Sequence, residues 1–248
     1  MDTTTWIEVW GVTIRSPVTA GTNLILALQC AYYALYLRGA GSERRTGWTL
    51  FFAAMALATL AGVPKHGLRH LLGGDLLASV LWTSSLASGA AVYFAQRATI
   101  ASRTQSATRR RLEWVVGAQA ALFLAANVAL GPEMLLLIAH TAVGLIPVIV
   151  VEAFARRGGD GCGRWVASGL MVSLLPGFVY VFQISLGRWF NHIDVAHALM
   201  GVSFYLIVRG VPDTSPARVK AGGEWTTVRA RPVAAGNLAV VGGAQGSA

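Results

Sequence analysis

The last hydrophobic segment of the chain, residues 190–211, reads FNHIDVAHALMGVSFYLIVRGV. It opens with two imidazoles and a carboxylate, from His192, Asp194 and His197, and continues as an apolar run. Polar groups are costly where a helix enters apolar surroundings, and they are usually kept there for a functional reason. The segment therefore predicts a membrane helix with a polar site at its start.

The composition of the whole chain also favours a membrane protein. Of its 248 residues, 54% are hydrophobic and 12% are charged, whereas a soluble domain carries roughly 25% charged residues. We therefore expect a polytopic membrane protein in contact with membrane lipids. The net charge of +9 comes from short basic clusters between apolar segments. This distribution is typical of loops at an anionic membrane surface, and no nucleic-acid partner is expected.

Seven apolar segments are long enough to cross a bilayer, which takes roughly 20 residues of helix. They predict helices over about residues 17–37, 48–72, 76–96, 112–130, 134–154, 165–186 and 193–211. Pro64 predicts a kink in the second helix, and Pro176 with Gly177 predicts a break in the sixth. The predicted fold class is all-α, a bundle of seven transmembrane helices.

The two ends of the chain differ from this helical domain of residues 17–211. Residues 1–16 are short and mixed in polarity, and Trp6 and Trp10 favour an interfacial segment. From Pro212 the chain is rich in Gly, Ala and Pro and has no apolar periodicity. Residues 212–248 are therefore predicted to be a disordered cytoplasmic tail.

The arginines predict the orientation of the bundle. The loops after helices one, three and five carry three, five and three arginines, whereas the four–five loop has none and the six–seven loop has one. The two–three connection is an exception, with Lys65 and Arg69 near its helix end. The positive-inside rule then predicts an external N-terminus and a cytoplasmic C-terminus. The location expected is the inner (plasma) membrane, as a multi-pass protein.

This orientation brings the five histidines and several carboxylates to the outer half of the bundle. Helices two, five and seven each contribute, and the third helix begins on the same side. The polar residues gathered there are His66, His70, Asp75, Glu133, His140, His192, Asp194 and His197.

Two pairs in this group have spacings that suit a metal ion. His66 and His70 are four residues apart on one predicted helix face, a spacing by which one helix can supply two imidazoles. Asp194 and His197 are three apart and share a face of helix seven, and His192 is a further ligand candidate. Zinc held by such N and O ligands would generate hydroxide at neutral pH, with Asp194 or Asp75 as the general base. The alternative is a polar helix entrance and an interfacial histidine pair without a metal.

Three further residues are predicted to support this site. Asn191 is a candidate cap for helix seven. Glu133 and His140 share a face of helix five, where His140 lies deep in an apolar segment. His140 is predicted either as a hydrogen-bonded packing residue or as a supporting or additional ligand.

The layout resembles the CREST superfamily, which includes alkaline ceramidases, adiponectin/progestin receptors and haemolysin III-like proteins. The shared features are an external N-terminus, a histidine late in helix two and histidines early in helix seven. The resemblance implies a zinc site and hydrolysis of a lipid amide. It carries over to His66 or His70 and to His197, with His192 and Asp194 as alternatives for the third ligand. The run from Asn191 to His197 also resembles a bacterial multi-pass group of undefined function with an Asn-His-x-Asp-x-x-His motif.

Two functions follow as expectations. The first is metal-dependent hydrolysis of a lipid-like substrate near the outer face, a role in lipid metabolism with zinc as cofactor. The second is a sensor, receptor or small transporter without enzymatic activity, in which the His/Asp cluster binds a ligand or relays protons. The sequence names neither the substrate nor the oligomeric state.

Overall fold

The structure is a computed structural model that describes residues 5–39, 42–155, 161–211, 217–221 and 224–228. Seven helices run through this part of the chain. They are α1 (Pro17–Leu37), α2 (Glu43–Gly67), α3 (Gly74–Arg103), α4 (Ser106–Leu130), α5 (Met134–Ala155), α6 (Gly161–Val181) and α7 (His192–Arg209). By length and composition, α1 to α6 can each cross a membrane. The predicted multi-pass helical bundle is confirmed to that extent; α7, with its polar first turns, is not among these six helices.

Six of the helices form a closed ring. α1 packs against α2 and α7, α2 against α3, α3 against α5, and α6 against both α5 and α7. α4 lies outside this ring, in contact with α3 and α5. Phe51 and Phe52 of α2 pack edge-to-face against Phe204 of α7, and such aromatic contacts stabilise the pairing of helices that are distant in sequence.

Several helix ends differ from the predictions. α2 begins within the charged loop and ends at Gly67, so the predicted extension of this helix to residue 72 was wrong. The backbone N–H of Leu68, the C-cap of α2, donates a hydrogen bond to the carbonyl oxygen of Pro64. Gly73 is the N-cap of α3. α6 continues through Pro176 and ends at Val181, because a membrane helix can tolerate a proline when its neighbours compensate for the lost hydrogen bond.

A small hairpin precedes α1. Its strands, β1 (Trp6–Val9) and β2 (Val12–Arg15), pair antiparallel, with Val9 opposite Val12. Trp10 and Gly11 form the connecting turn with φ values of 50° and 76°, and positive φ at both turn residues suits the right-handed twist of a hairpin. The predicted all-α class is confirmed for the described residues, and this hairpin is a minor addition to the seven helices.

The C-terminal segment forms a separate unit, Thr214–Ala248. Its described residues are strands β3 (Ala217–Ala221) and β4 (Glu224–Val228), which pair antiparallel. The prediction of a disordered tail did not include this hairpin. The rest of that predicted tail lies outside the described residues.

Candidate functional site

A central cavity of about 560 Å³ lies among the helices of the ring and is partly open to the surface, where lining residues such as Phe178 and Phe182 are exposed. Its walls come from α2, α3, α5, α6 and α7, and Asn23 of α1 also reaches it. Most of the lining is apolar, with Phe51, Met55, Leu145 and Phe204 among the larger side chains. Small-molecule sites are typically apolar cavities of about 300–1,000 Å³ with a few polar groups. The size and lining of the cavity suit a small amphipathic molecule.

One end of the cavity is basic. Lys65 and His66 lie in the last turn of α2, and His197 lies in the second turn of α7. Lys65 and the two imidazoles are close enough to interact electrostatically. The described residues that line the cavity include no Asp or Glu. Tyr180 adds a hydroxyl at the end of α6. The lining thus combines these three nitrogen groups with the hydroxyl groups of Ser, Thr and Tyr side chains and the amide of Asn23.

Thr22 of α1 orients the ring of His197. Its Oγ1 lies 2.9 Å from His197 Nδ1 and 3.1 Å from the carbonyl oxygen of Thr19. A threonine hydroxyl has one proton, and the Thr19 carbonyl can only accept it. Thr22 therefore accepts a hydrogen bond from Nδ1–H, and we assign the lone pair of His197 to Nε2. That nitrogen can accept a proton from a ligand or bind a metal.

The first turn of α7 is held by a capping box. The side chain of Asn191 accepts the N–H of Ile193 at 2.8 Å, and Asp194 Oδ2 accepts the N–H of Asn191 at 2.9 Å. Asn191 also donates to Thr19 Oγ1 at 3.2 Å, which ties α7 to α1. Asp194 is fully buried, and its Oδ1 has no hydrogen-bond partner in the described part of the chain. The predicted cap is confirmed, and Asp194 has a structural role in addition to any chemical one.

The remaining predicted residues do not line the cavity. His70 is exposed in the turn after α2, so the prediction that it shares a helix face with His66 was wrong. Asp75 is exposed in the first turn of α3, and Glu133 is exposed just before α5. His192 packs edge-on against Tyr180, with ring centroids 5.7 Å apart. His66 and His197 are the two predicted ligands that the cavity brings together.

His140 belongs to a separate packing cluster. Its ring stacks on Phe123 of α4 with a centroid distance of 4.1 Å. Its Nε2 lies 3.4 Å from the carbonyl oxygen of Gly89, and its Nδ1 lies 3.5 Å from the side chain of Gln119. These contacts connect α3, α4 and α5 and correspond to the packing alternative for this residue.

The described residues contain no group of three or more His, Cys, Asp or Glu side chains arranged to hold a metal ion. His66 and His197 supply two imidazoles, whereas a catalytic zinc usually has three protein ligands. In this arrangement the donor set is one ligand short. Zinc stays a prediction.

Sequence reasoning missed a buried ionic cluster at the opposite end of the bundle. Glu152 of α5 is fully buried and accepts hydrogen bonds from Arg103 Nη2 at 2.8 Å, Arg44 Nη2 at 3.3 Å and Thr99 Oγ1 at 3.3 Å. These partners come from the start of α2 and the end of α3. The available signal was a single carboxylate inside an apolar segment, which is a strong marker of a specific role in a membrane helix.

Six helices that are long and apolar enough to cross a membrane define the class of the molecule, a multi-pass helical bundle. Residues 18–216 match a family described as a family of unknown function (DUF6962), and the chain belongs to that family. The match covers all seven helices apart from the first residue of α1. Comparisons with curated proteins and with solved structures give no match.

Proposed function

We propose that this protein binds a lipid-like small molecule in the central cavity of its membrane domain. The observation that carries the proposal is the polarity of the cavity: an apolar body bounded by Phe51 and Phe204, and a polar end formed by Lys65, His66 and His197. A lipid-like molecule has the same division between tail and head. Apolar area removed from water supplies about 25 cal/mol per Å², and the polar end fixes the direction of the ligand.

All seven helices cross the membrane in this proposal, with the N-terminus outside and the C-terminus in the cytoplasm. The arginine-rich loops support this orientation, and the packing of α7 between α1 and α6 supports its insertion beside them. The basic end of the cavity then faces the outer side of the plasma membrane. A C-terminal green fluorescent protein fusion should fluoresce, and a C-terminal alkaline phosphatase fusion should be inactive; the reverse pattern would overturn the orientation.

The residues around His197 each have a task in the proposed binding of a ligand. Thr22 holds the His197 ring so that Nε2 is left to accept a hydrogen bond from the head of the ligand. The capping box of Asn191 and Asp194 fixes the helix turn that carries His197. His66 approaches from the facing end of α2.

Filling the cavity tests the proposal. Ala142 lines the cavity on α5, whereas Ala125 is exposed on the outer helix α4. We expect the Ala142→Trp variant, purified in detergent, to lose co-purifying lipid-like molecules that mass spectrometry detects in the wild type. The matched Ala125→Trp variant should retain them. Equal retention in both variants would contradict a ligand in the cavity.

Hydrolysis of the bound lipid is a second candidate function. It is supported by the meeting of His66 and His197 at one cavity and by the Nε2 lone pair of His197, since metal-bound histidines commonly donate their other ring N–H to a neighbouring group. A third ligand, from Asp194 or His192, would require a different local arrangement. Asp75, the other carboxylate proposed as general base, is exposed away from the cavity lining.

Elemental analysis separates this candidate from ligand binding alone. About one zinc per chain in the wild type, lost in both His66→Ala and His197→Ala, would support a metal-dependent hydrolase. Wild-type protein without bound metal after purification in metal-supplemented buffer would contradict it, and the proposal of a lipid-binding cavity would stand.

A further inference from the structure

We infer that the cavity selects a single-chain anionic amphiphile, whose carboxylate or phosphate group pairs with Lys65 while its tail follows the apolar wall. This inference rests on the proposed function, because it assigns the chemical class of the molecule that the cavity binds. The shared chemistry is a negatively charged oxygen at the end of one acyl chain.

The first argument is the lack of a counter-charge for Lys65. This lysine lines the cavity and is partly buried, and among the described residues it forms neither a salt bridge nor a hydrogen bond with another side chain. A cation away from bulk water is costly unless it is paired. Since the described lining includes no Asp or Glu, an anionic ligand would supply the compensating negative charge.

The second argument is the pattern of donors and acceptors. Lys65 offers three N–H donors, and a charge-assisted hydrogen bond to an anionic oxygen is among the stronger polar contacts in proteins. His197 lines the same cavity and offers the lone pair of Nε2, which suits a hydroxyl on the same head group. A lysophosphatidate carries both groups, whereas a fatty acid anion carries the charge alone.

The third argument is the volume. A cavity of about 560 Å³ lies within the roughly 300–1,000 Å³ that is typical of sites for one small molecule. This volume suits a lipid with one acyl chain and a small head.

A competition experiment tests the charge selection. Wild-type protein in maltoside micelles is incubated with tritiated palmitate, and binding is read by scintillation proximity. The competitors are unlabelled palmitate, lysophosphatidate, hexadecanol and hexadecyltrimethylammonium, and Ala142→Trp protein sets the background. We expect palmitate and lysophosphatidate to compete at least about tenfold better than hexadecanol, the cation to compete least, and lysophosphatidate to exceed palmitate if the His197 contact contributes.

Matched variants then test which cation binds the anionic head of the ligand. Lys65→Gln should weaken palmitate binding about tenfold, and Lys65→Arg should retain most of it. Arg69→Gln removes a cation from the exposed turn just beyond α2 and should leave binding unchanged. An equal loss of palmitate affinity in the Arg69 and Lys65 variants would mean that the overall positive potential at this end of the cavity attracts the anion, without a specific contact to Lys65.

The outcomes separate the selection of an anionic head group from the binding of a lipid-like molecule in general. Hexadecanol competing as well as palmitate would overturn the charge selection and leave the lipid-binding cavity intact. If no probe, charged or neutral, binds above the Ala142→Trp background, the proposed function fails and the inference fails with it.

Discussion

The two ends of the helix ring handle charge in opposite ways. At one end, the buried carboxylate of Glu152 meets two arginines and a threonine from α2 and α3. At the other end, Lys65 reaches the cavity without a carboxylate among the described lining residues. Charge that is neutralised within the protein ties helices together, whereas charge left without a counter-ion is available to a ligand. The first end therefore has a structural role, and the second end is where we propose that a ligand binds.

The largest effect is expected at the paired end. Glu152→Gln keeps the shape of the side chain and removes its charge from a fully buried cluster. Because breaking a buried ion pair is strongly destabilising, the free energy of unfolding should fall by about 3 kcal/mol. Thermal unfolding in detergent measures this effect as a lower midpoint. The control is Glu113→Gln, whose partly exposed carboxylate pairs with Arg97 and Arg109. Because such solvent-accessible ion pairs contribute little to stability, this variant should change the midpoint little. Similar shifts for both variants would contradict a special role of Glu152.

Packing around Glu152 gives the next effect in size. A Cβ at Gly163 of α6 would lie 2.9 Å from the carbonyl oxygen of Glu152 and 3.2 Å from its Oε2. Gly163→Ala should therefore force α5 and α6 apart and cost about 1–3 kcal/mol. A Cβ at Gly161, two residues earlier, meets nothing within 4 Å, so Gly161→Ala should be neutral in the same unfolding experiment. Equal unfolding midpoints of the two variants would show that the residues around Glu152 can shift to accommodate the added methyl group without loss of stability.

A smaller effect is expected at the basic end, where Thr22 positions His197. Thr22→Val removes the acceptor of the Nδ1–H hydrogen bond and should cost about 1 kcal/mol. The ring should then lose its preference for the Nδ1–H tautomer, which the ¹⁵N chemical shifts of the imidazole report. Thr22→Ser restores the hydroxyl and should restore the tautomer. Unchanged shifts in the valine variant would contradict the assigned role of Thr22.

Much of the helical architecture could be predicted from hydropathy. The predicted bounds of the first helix agree with α1, since Pro17 marks its start and Arg38 follows its end. Hydropathy reports the apolar core of a membrane and not the helix itself, so it missed the charged first turn of α2 and the long end of α3. It also missed the hairpin before α1, whose Trp10–Gly11 turn lacks the usual asparagine.

Only the site residues whose position follows from the orientation of the helices in the membrane could be predicted. The orientation argument grouped His66 with His197, and the cavity contains both. It also grouped His70 and Asp75, which the early end of α2 leaves exposed. Lys65 was noted only as an exception to the distribution of basic residues, because its position at the cavity depends on how α2 packs against its neighbours. The pairing of Glu152 with Arg44 and Arg103 spans three helices, and no local spacing reveals such a contact.

The most direct test of the difference between the two ends is the unfolding midpoint of Lys65→Gln protein, measured with and without palmitate beside the wild type. Removing a cation that has no partner among the described residues should leave the ligand-free midpoint unchanged or slightly higher, in contrast to Glu152→Gln. Palmitate should raise the midpoint of the wild type, because a ligand that binds the folded state stabilises it, and should raise that of the variant much less. A ligand-free midpoint that falls as far as in Glu152→Gln, together with equal palmitate shifts in both proteins, would contradict the assignment of Lys65 to ligand binding.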